Sequence, residues 1–368
     1  MLKKLGINGI TLLSELLHTC FLVGTTPSTW KQSNIYPISK NKEWGGNLAN
    51  TRPIVLIETA RKVLTKILTF RLSAICKKHR ILKGPNFAGL PGESTTEPIH
   101  LLNNICEEAR ENKKELWVLF QDTAKAFDTV NLDMLERAMA RIKIPQKAIT
   151  LIINLFKNRE LRVITSLGLT DPFCAGDGID QGETISPLLW RIFYDPLLCK
   201  IQDNQNNGYN MNCKWNPNLE KENTMALNLR CAAIAFMDDT TWVASSRDDM
   251  ERILSDAREF YKANDSQINS SKSVLITING DNQQPQSVHA GTNEEEVKPT
   301  ENNTFARFLG IWIGNKNHKT NTKNRIEYEI TNITRAIKRK KASEKQILYI
   351  LNKVLIPRIE YRTQHCFL

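Results

Sequence analysis

The sequence predicts an α+β fold in which helices pack on an antiparallel sheet. A short, wholly apolar run at residues 116–120, bounded by polar residues, is typical of a buried central strand. In the stretch CAAIAFMDDTTWVASS, residues 231–246, two runs rich in strand formers flank Asp238 and Asp239 and predict a β-hairpin. Several other segments carry apolar residues at helical spacing, which supplies the α component.

Composition indicates a globular protein with a basic surface. The chain has 368 residues, 41% of them hydrophobic, which is enough for two or three packed units. Its 50 lysines and arginines outnumber 39 acids, giving a net charge of +11 that favours a polyanionic partner. A merely soluble basic protein has the same balance, so charge alone does not decide.

The cysteine pattern and the hydropathy of the sequence indicate the compartment in which the protein is expected. The eight cysteines are scattered, without a CxxC pair or zinc-finger spacing, as expected for reduced thiols inside a cell. We therefore expect an intracellular location, either nuclear or cytoplasmic. No run of about 20 apolar residues occurs, so no membrane span and no membrane partner are expected.

The first third of the chain predicts helices around one short strand. Leucines at helical spacing near residue 15 indicate an amphipathic helix, and residues 35–38 a strand that leads to Lys40. A second helix is predicted over residues 58–72, with Arg61 among the cations on its basic face. Residues 86–98 form a loop that enters a helix over residues 99–112.

The remainder alternates between helices and strands. The predicted helices cover residues 132–144, 146–157, 186–199, 248–264 and the basic tail 323–368, and the predicted strands lie near residues 161–165, 273–278 and 308–313. Asn131 is a good N-cap for the first of these helices. Residues 202–228 are predicted to be a polar excursion, and residues 280–303 a flexible loop.

The acidic residues at the hairpin tip need a counter-charge. Carboxylates beside a buried hairpin lose solvation, and hard divalent cations such as Mg²⁺ prefer oxygen ligands of this kind. A solvated Asp-Asp turn is the simpler alternative. Asp122, directly after the central strand, lies 116 positions before Asp238 (238 minus 122). The two converge if both strands belong to one antiparallel sheet, as two-metal nucleotidyl transfer requires.

Five segments resemble, in order, the polymerase motifs A to E of reverse transcriptases: QDTAKAFDTV, GIDQGETISPLL, AFMDDT, INSSKS and RFLGIWIG. Upstream, WKQSNIYPISK, TRPIVL and NFAGLPGEST resemble the finger motifs of the LINE-type, non-LTR retrotransposon subgroup. The resemblance covers about residues 27–314 and implies a right-hand polymerase. It divides the chain into an N-terminal helix with fingers (1–104), a palm (105–318) and a partial helical thumb (319–368).

The resemblance also implies roles for individual residues. Metal ligands would be Asp122, Asp238 and the backbone carbonyl of Thr123, with Asp239 as acidic neighbour and Lys272 as proton donor to pyrophosphate. Nucleotide-binding residues would be Lys40, Arg52, Phe127, Gln181 and Gly182, where Phe127 crowds a ribose 2′-hydroxyl. The primer grip would be Phe308, Leu309 and Gly310.

The implied activity is RNA-directed DNA polymerisation. Deoxynucleoside triphosphates would extend a DNA primer on an RNA template, with two Mg²⁺ ions, or Mn²⁺ as substitute. The sequence indicates no oligomeric state. One alternative is an RNA-dependent RNA polymerase, which the aromatic residue at position 127 disfavours. Another is a catalytically silent nucleic-acid-binding relic, which the intact acids disfavour.

Several of these residues have plainer interpretations. Phe127 fits a core position, Gln181 and Gly182 fit a turn before a helix, and Lys272 fits a solvated lysine. Arg52 fits an extended surface position before Pro53. The stretch KRKK at residues 338–341 fits a nuclear-import signal, an exposed helix face or a contact with template phosphates.

Overall fold

The computed structural model describes residues 4–40, 47, 50–215, 225–280, 287–300, 304–314 and 319–364. The helices of this part are α1 (Ile7–Val23), α2 (Thr59–Lys78), α3 (Thr96–Glu111), α4 (Leu132–Arg141), α5 (Gln146–Phe156), α6 (Ser186–Asp203), α7 (Arg247–Ala263), α8 (Lys319–Lys338), α9 (Glu344–Ile350) and α10 (Ile356–Gln364). The mixture of these helices with β-strands confirms the α+β class. Within the described ranges, none of the helices is long and apolar enough to cross a bilayer.

The strands, in chain order, are β1 (Gln32–Ser39), β2 (Thr51–Leu56), β3 (Leu116–Gln121), β4 (Thr123–Ala124), β5 (Arg159–Thr165), β6 (Gly168–Leu169), β7 (Phe173–Ala175), β8 (Tyr209–Trp215), β9 (Met225–Cys231), β10 (Ala233–Phe236), β11 (Asp239–Ala244), β12 (Gln267–Ile268), β13 (Val274–Ile278), β14 (Val288–Ala290), β15 (Glu295–Val297), β16 (Phe305–Phe308) and β17 (Ile311–Gly314). Many are short, and their pairing defines separate sheets.

The chain divides into two compact units, each assembled from separate stretches. Unit 1 comprises Met1–Glu93, Thr123–Asp203 and Asp256–Ile268. Unit 2 comprises Ser94–Asp122, Asn204–Ser255 and Asn269–Leu368. The division into fingers, palm and thumb stays a prediction.

Unit 1 contains a mixed sheet and an aromatic core. The strand order is β2-β1-β5-β6, with β7 also paired to β5. Strand β1 is antiparallel to β2 but parallel to β5. Helix α6 is buried along most of its length, and its Trp190 ring stacks on Tyr194 with centroids 5.3 Å apart. The Tyr194 hydroxyl shares a 2.7 Å hydrogen bond with that of Tyr261, which satisfies both buried phenols.

Unit 2 is organised around an antiparallel sheet of order β10-β11-β3-β13. All six residues of β3 are buried, because the strand has a neighbour on each side and α3 presents apolar residues such as Ile99 and Leu102 to the core. The predicted central strand and the predicted hairpin, β10–β11, are both confirmed. So is the prediction that these strands share one antiparallel sheet.

Two segments contain more order than the sequence predicted. The predicted polar excursion over residues 202–228 was wrong in part, because it contains strand β8 and most of β9, which pair as a hairpin with Tyr209 opposite Cys231. The predicted flexible loop over residues 280–303 contains the β14–β15 hairpin, where Val288, Ala290 and Val297 are buried. Its residues 281–286 and 301–303 lie outside the described ranges. Strands β14 and β15 have only three residues each, which is too short for an alternation of apolar and polar residues to be recognised in the sequence.

Candidate active site

Strand register brings three aspartates to one end of the unit 2 sheet. Strand β3 ends at Gln121, so Asp122 is the first residue beyond it, and Gln121 lies opposite Thr240 of β11. Phe236 pairs with Asp239 across the hairpin, which leaves only Met237 and Asp238 in the turn. Met237 has φ +58°, a left-handed conformation that such a tight turn requires.

Burial and neighbouring negative charge raise the proton affinity of Asp238 and Asp239. Partial burial raises the pKa of Asp238, and the nearby charge of Asp122 adds to the rise. Desolvation, with the charges of Asp238 and Asp122, raises the pKa of Asp239 to about 6, although Arg307 opposes the change. Both the loss of solvent and the nearby negative charge therefore disfavour the ionised forms of Asp238 and Asp239.

Lys272 forms an ion pair with Asp122 of this cluster. It ends a short 3-10 turn, and its ammonium nitrogen lies 3.2 Å from Asp122 Oδ2. Both side chains are more than a third exposed, at 59% and 41%, so solvent screens the pair and we expect it to add no more than about 1 kcal/mol to stability. The pair therefore contributes little to the stability of the fold.

The predicted primer-grip residues lie beside the same cluster. Phe308 is buried at the end of β16, with its ring centroid 5.7 Å from that of Phe120. Leu309 and Gly310 form the turn to β17, and the Leu309 carbonyl accepts a 2.6 Å hydrogen bond from the Tyr361 hydroxyl. A cavity of about 130 Å³ is lined by the side chains of this region: Phe120, Asp122, Asp239, Lys272, Arg307, Phe308 and Leu309.

The donor set of this cavity fits a hard divalent cation that also binds substrate. Within the described ranges, no three or more His, Cys, Asp or Glu side chains form a complete metal-binding group. Mg²⁺ usually takes one or two carboxylates and completes its shell with water and substrate phosphates, so a complete protein cage is not expected. Asp122 and Asp239 line the cavity, and Asp238 precedes Asp239 in the hairpin turn, so carboxylate oxygens of this kind are present here.

The residues Gln181 and Gly182 form a tightly fixed turn in unit 1, before α6. The Gln181 carbonyl accepts a 2.8 Å hydrogen bond from the Val55 backbone nitrogen. Gly182 has φ +114°, and a Cβ at this position would lie 2.8 Å from the Val55 carbonyl oxygen. Only glycine fits this approach, so the turn presents a half-buried Gln181 in one defined backbone conformation.

We expect Gly182→Ala to destabilise the protein by about 2 kcal/mol or more, because it combines a strained φ with a clash against backbone. Urea denaturation followed by circular dichroism measures the change. Gly176→Ala is the matched control, since a Cβ there meets nothing within 4 Å. Equal stability of the two variants would contradict the expectation.

The remaining predicted site residues, three for the nucleotide and one for the metal, also belong to unit 1. Lys40 and Arg52 are exposed, the first directly after β1 and the second in β2. Phe127 is half-buried, with its ring centroid 5.8 Å from that of Trp190. Thr123 begins β4, and its buried hydroxyl has no hydrogen-bond partner among the described residues. The roles of these four residues stay predictions.

A basic cluster that the sequence did not single out lies on the C-terminal helices of unit 2. A cavity of about 730 Å³ is lined by Arg307, Lys353, Arg358 and Arg362, with Glu329 as the one acid. Desolvation and the positive charges of Arg307 and Arg325 lower the pKa of Arg362, while Glu329 pairs with both Arg358 and Arg362. Only the basic composition of the tail hinted at this cluster, because its members are far apart in sequence.

Comparison with known proteins gives one family and several relatives. The model of the family described as "Reverse transcriptase (RNA-dependent DNA polymerase)" matches residues 38–313. The "Retrovirus-related Pol polyprotein from type-1 retrotransposable element R2" of Popillia japonica is 26% identical over 258 residues, which cover 70% of this chain and 34% of that protein. The "Probable RNA-directed DNA polymerase from transposon BS" of Drosophila melanogaster is 27% identical over 198 residues, covering 54% and 22%.

The chain thus spans about a third of the first of these two relatives and about a fifth of the second. Among solved structures, an apo telomerase from Candida tropicalis, truncated from its C-terminal domain, superposes with a TM-score of 0.48 at 14% identity. The superposition covers 78% of this chain and 59% of that one.

Proposed function

The chain belongs to the reverse transcriptase (RNA-dependent DNA polymerase) family, and on this basis we propose that it adds deoxynucleotides to the 3′-hydroxyl of a DNA primer on an RNA template. The observation that carries the proposal is the convergence of Asp122, Asp238 and Asp239 at the end of an antiparallel sheet, beside Lys272. Nucleotidyl transfer needs chiefly positioning and charge neutralisation, and this cluster offers oxygen ligands and a proton donor.

In this proposal Asp122, Asp238 and the backbone carbonyl of Thr123 hold Mg²⁺, for which Mn²⁺ substitutes. The bound metal supplies charge neutralisation at the attacking and leaving oxygens. Asp239 adds negative charge next to the ligands. Lys272, whose ammonium lies 3.2 Å from Asp122 Oδ2, delivers a proton to the departing pyrophosphate.

The remaining predicted residues bind the substrates. Lys40 and Arg52 are exposed cations suited to a triphosphate, and Gln181 with Gly182 supports the sugar of the incoming nucleotide. Phe308, Leu309 and Gly310 hold the primer end. The basic cluster around Arg307 and Arg362 supports a polyanionic partner, because phosphate contacts release counterions and favour binding.

We also propose a nuclear or cytoplasmic location. The KRKK stretch, residues 338–341, is exposed where α8 ends, as access by an import receptor or by template phosphates requires.

Primer extension on an RNA template tests the proposal. A labelled DNA primer annealed to RNA is incubated with the protein, Mg²⁺ and either deoxynucleotides or ribonucleotides. We expect extension with deoxynucleotides, and its loss when the metal is chelated. Extension with ribonucleotides alone would favour the RNA polymerase alternative, and binding without any extension would favour the silent relic.

A further inference from the structure

Four charged side chains form a buried network in unit 1 that the proposed chemistry does not use. Arg61 is fully buried, and its guanidinium donates to Glu183 Oε2 at 2.8 Å and to Asp180 Oδ2 at 3.0 Å. Arg159, also buried, pairs with the other oxygen of Asp180. Two cations therefore face two anions, and the described part of the network carries no net charge.

Further hydrogen bonds tie this network to the backbone and to α2. Arg159 donates to the Gly178 carbonyl at 3.0 Å and also to that of Asp177. Arg61 donates to the Trp30 carbonyl at 2.8 Å. The Thr65 hydroxyl, one turn after Arg61 on α2, lies 2.6 Å from Glu183 Oε1. Each guanidinium also lies over the Phe156 ring, 5.6 and 5.7 Å from its centroid.

Such a network adds little net stability to a fold. Removing charges from water is costly, and well-packed apolar residues of similar volume are often as stable as a buried ion pair. What the network adds is geometric definition, because a guanidinium fork fixes the carboxylates on which it acts. In this protein the carboxylates that it fixes belong to the turn before α6.

Asp180 and Glu183 directly flank Gln181 and Gly182. Arg61 bridges the two acids, so it holds the turn at both ends, while the Val55 backbone nitrogen holds its middle through the Gln181 carbonyl. Glycine adopts the φ of +114° at Gly182 without strain, but it is equally free to adopt many other conformations, so the single conformation of this turn depends on the contacts around it. The network provides those contacts.

We propose that Arg61 and Arg159 are positioning residues for the incoming nucleotide, acting through the Gln181–Gly182 turn. They touch no substrate. They hold Asp180 and Glu183, which fix the backbone that presents Gln181 to the nucleotide sugar. This inference rests on the proposed polymerase function and adds specificity-determining residues to it.

Steady-state single-nucleotide extension distinguishes a positioning role of Arg61 from a role in the stability of the fold alone. Arg61→Lys keeps the charge but lacks the fork that spans two carboxylates, and Thr65→Val removes one hydroxyl at nearly constant volume. For both variants we expect KM for the deoxynucleotide to rise, by about tenfold for Arg61→Lys, while kcat and the affinity for primer-template change by less than about threefold. Active-site titration with labelled primer corrects for the folded fraction.

Arg141→Lys is the control, because it alters an ion pair with Asp195 of α6 that makes no contact with the turn. We expect it to leave KM unchanged. A purely structural role for Arg61 would lower the titrated active fraction and leave KM at the wild-type value, which would overturn the inference. If Arg61→Lys does not fold, Thr65→Val decides by the same criterion. If the wild-type protein extends no primer, the proposed function itself has failed.

Discussion

Asp238→Asn is expected to abolish primer extension, with a loss of about a thousandfold or more, since a metal ligand supplies several kcal/mol of transition-state stabilisation and each 1.4 kcal/mol is a factor of ten. The substitution keeps the shape of the side chain in the β10–β11 turn and removes its charge. Binding of primer-template should persist, because the cations proposed to contact its phosphates lie elsewhere in the chain. Single-turnover extension and fluorescence anisotropy measure the two quantities.

Asp248→Asn is the matched control for this experiment. The same chemical change falls on an exposed aspartate in the first turn of α7, outside the cavity, and should leave extension unchanged. Extension at the wild-type rate by Asp238→Asn would show that this residue is not a ligand.

Phe127→Ala should raise ribonucleotide incorporation much more than it lowers deoxynucleotide incorporation. If the ring packs against the sugar of the incoming nucleotide, a 2′-hydroxyl on that sugar collides with it. Overpacked contacts of this kind cost about 1 to 3 kcal/mol, which corresponds to about one to two powers of ten in selectivity. The measured quantity is the ratio of kcat/KM for the two nucleotides on one primer-template.

Phe127 also packs against Trp190, so a control must share that packing environment. Phe260→Ala serves, because Phe260 is half-buried too and contacts Phe193 and Tyr194 in the same aromatic core. We expect it to lower stability without changing the nucleotide ratio. The same ratio in Phe127→Ala and wild-type enzyme would assign Phe127 to the core and reopen the RNA-polymerase alternative.

Sequence reasoning located the acidic cluster because its supports are strongly patterned. Residues 116–120 of β3 are all apolar, and the β10–β11 hairpin is rich in strand formers. Short apolar runs of this kind, each followed closely by an acid, predict strands that end near the acid. What it could not predict was the pairing of Lys272 with Asp122. That contact joins residues 150 positions apart and depends on how β13 returns beside β3.

The prediction that Arg61 lies on the exposed basic face of α2 was wrong, for a related reason: its side chain is fully buried. Helical periodicity assigns every cation of α2 to the solvated face, and Arg61 lies among Lys62, Lys66 and Arg71. Its burial follows from Asp180 and Glu183, which reach it from beyond position 170. A pattern within one helix carries no information about partners supplied by another part of the chain, so a buried ion network escapes it.

The alternation of chain stretches between the two units also governs how the protein is made. Strand β3 ends at Gln121, but its neighbours β11 and β13 begin 118 and 153 positions later (239 and 274 minus 121). At ordinary rates of translation the ribosome needs about 6 to 24 s to reach β11 and about 8 to 31 s to reach β13.

Until β11 is synthesised, the wholly buried strand β3 has both edges unpaired, and pairing so distant in sequence is slow even once the chain is complete. A nascent chain of this kind is prone to associate with its copies. Slow, cool expression and chaperones that shield unpaired strands should therefore increase the soluble yield more than any substitution in the finished sheet.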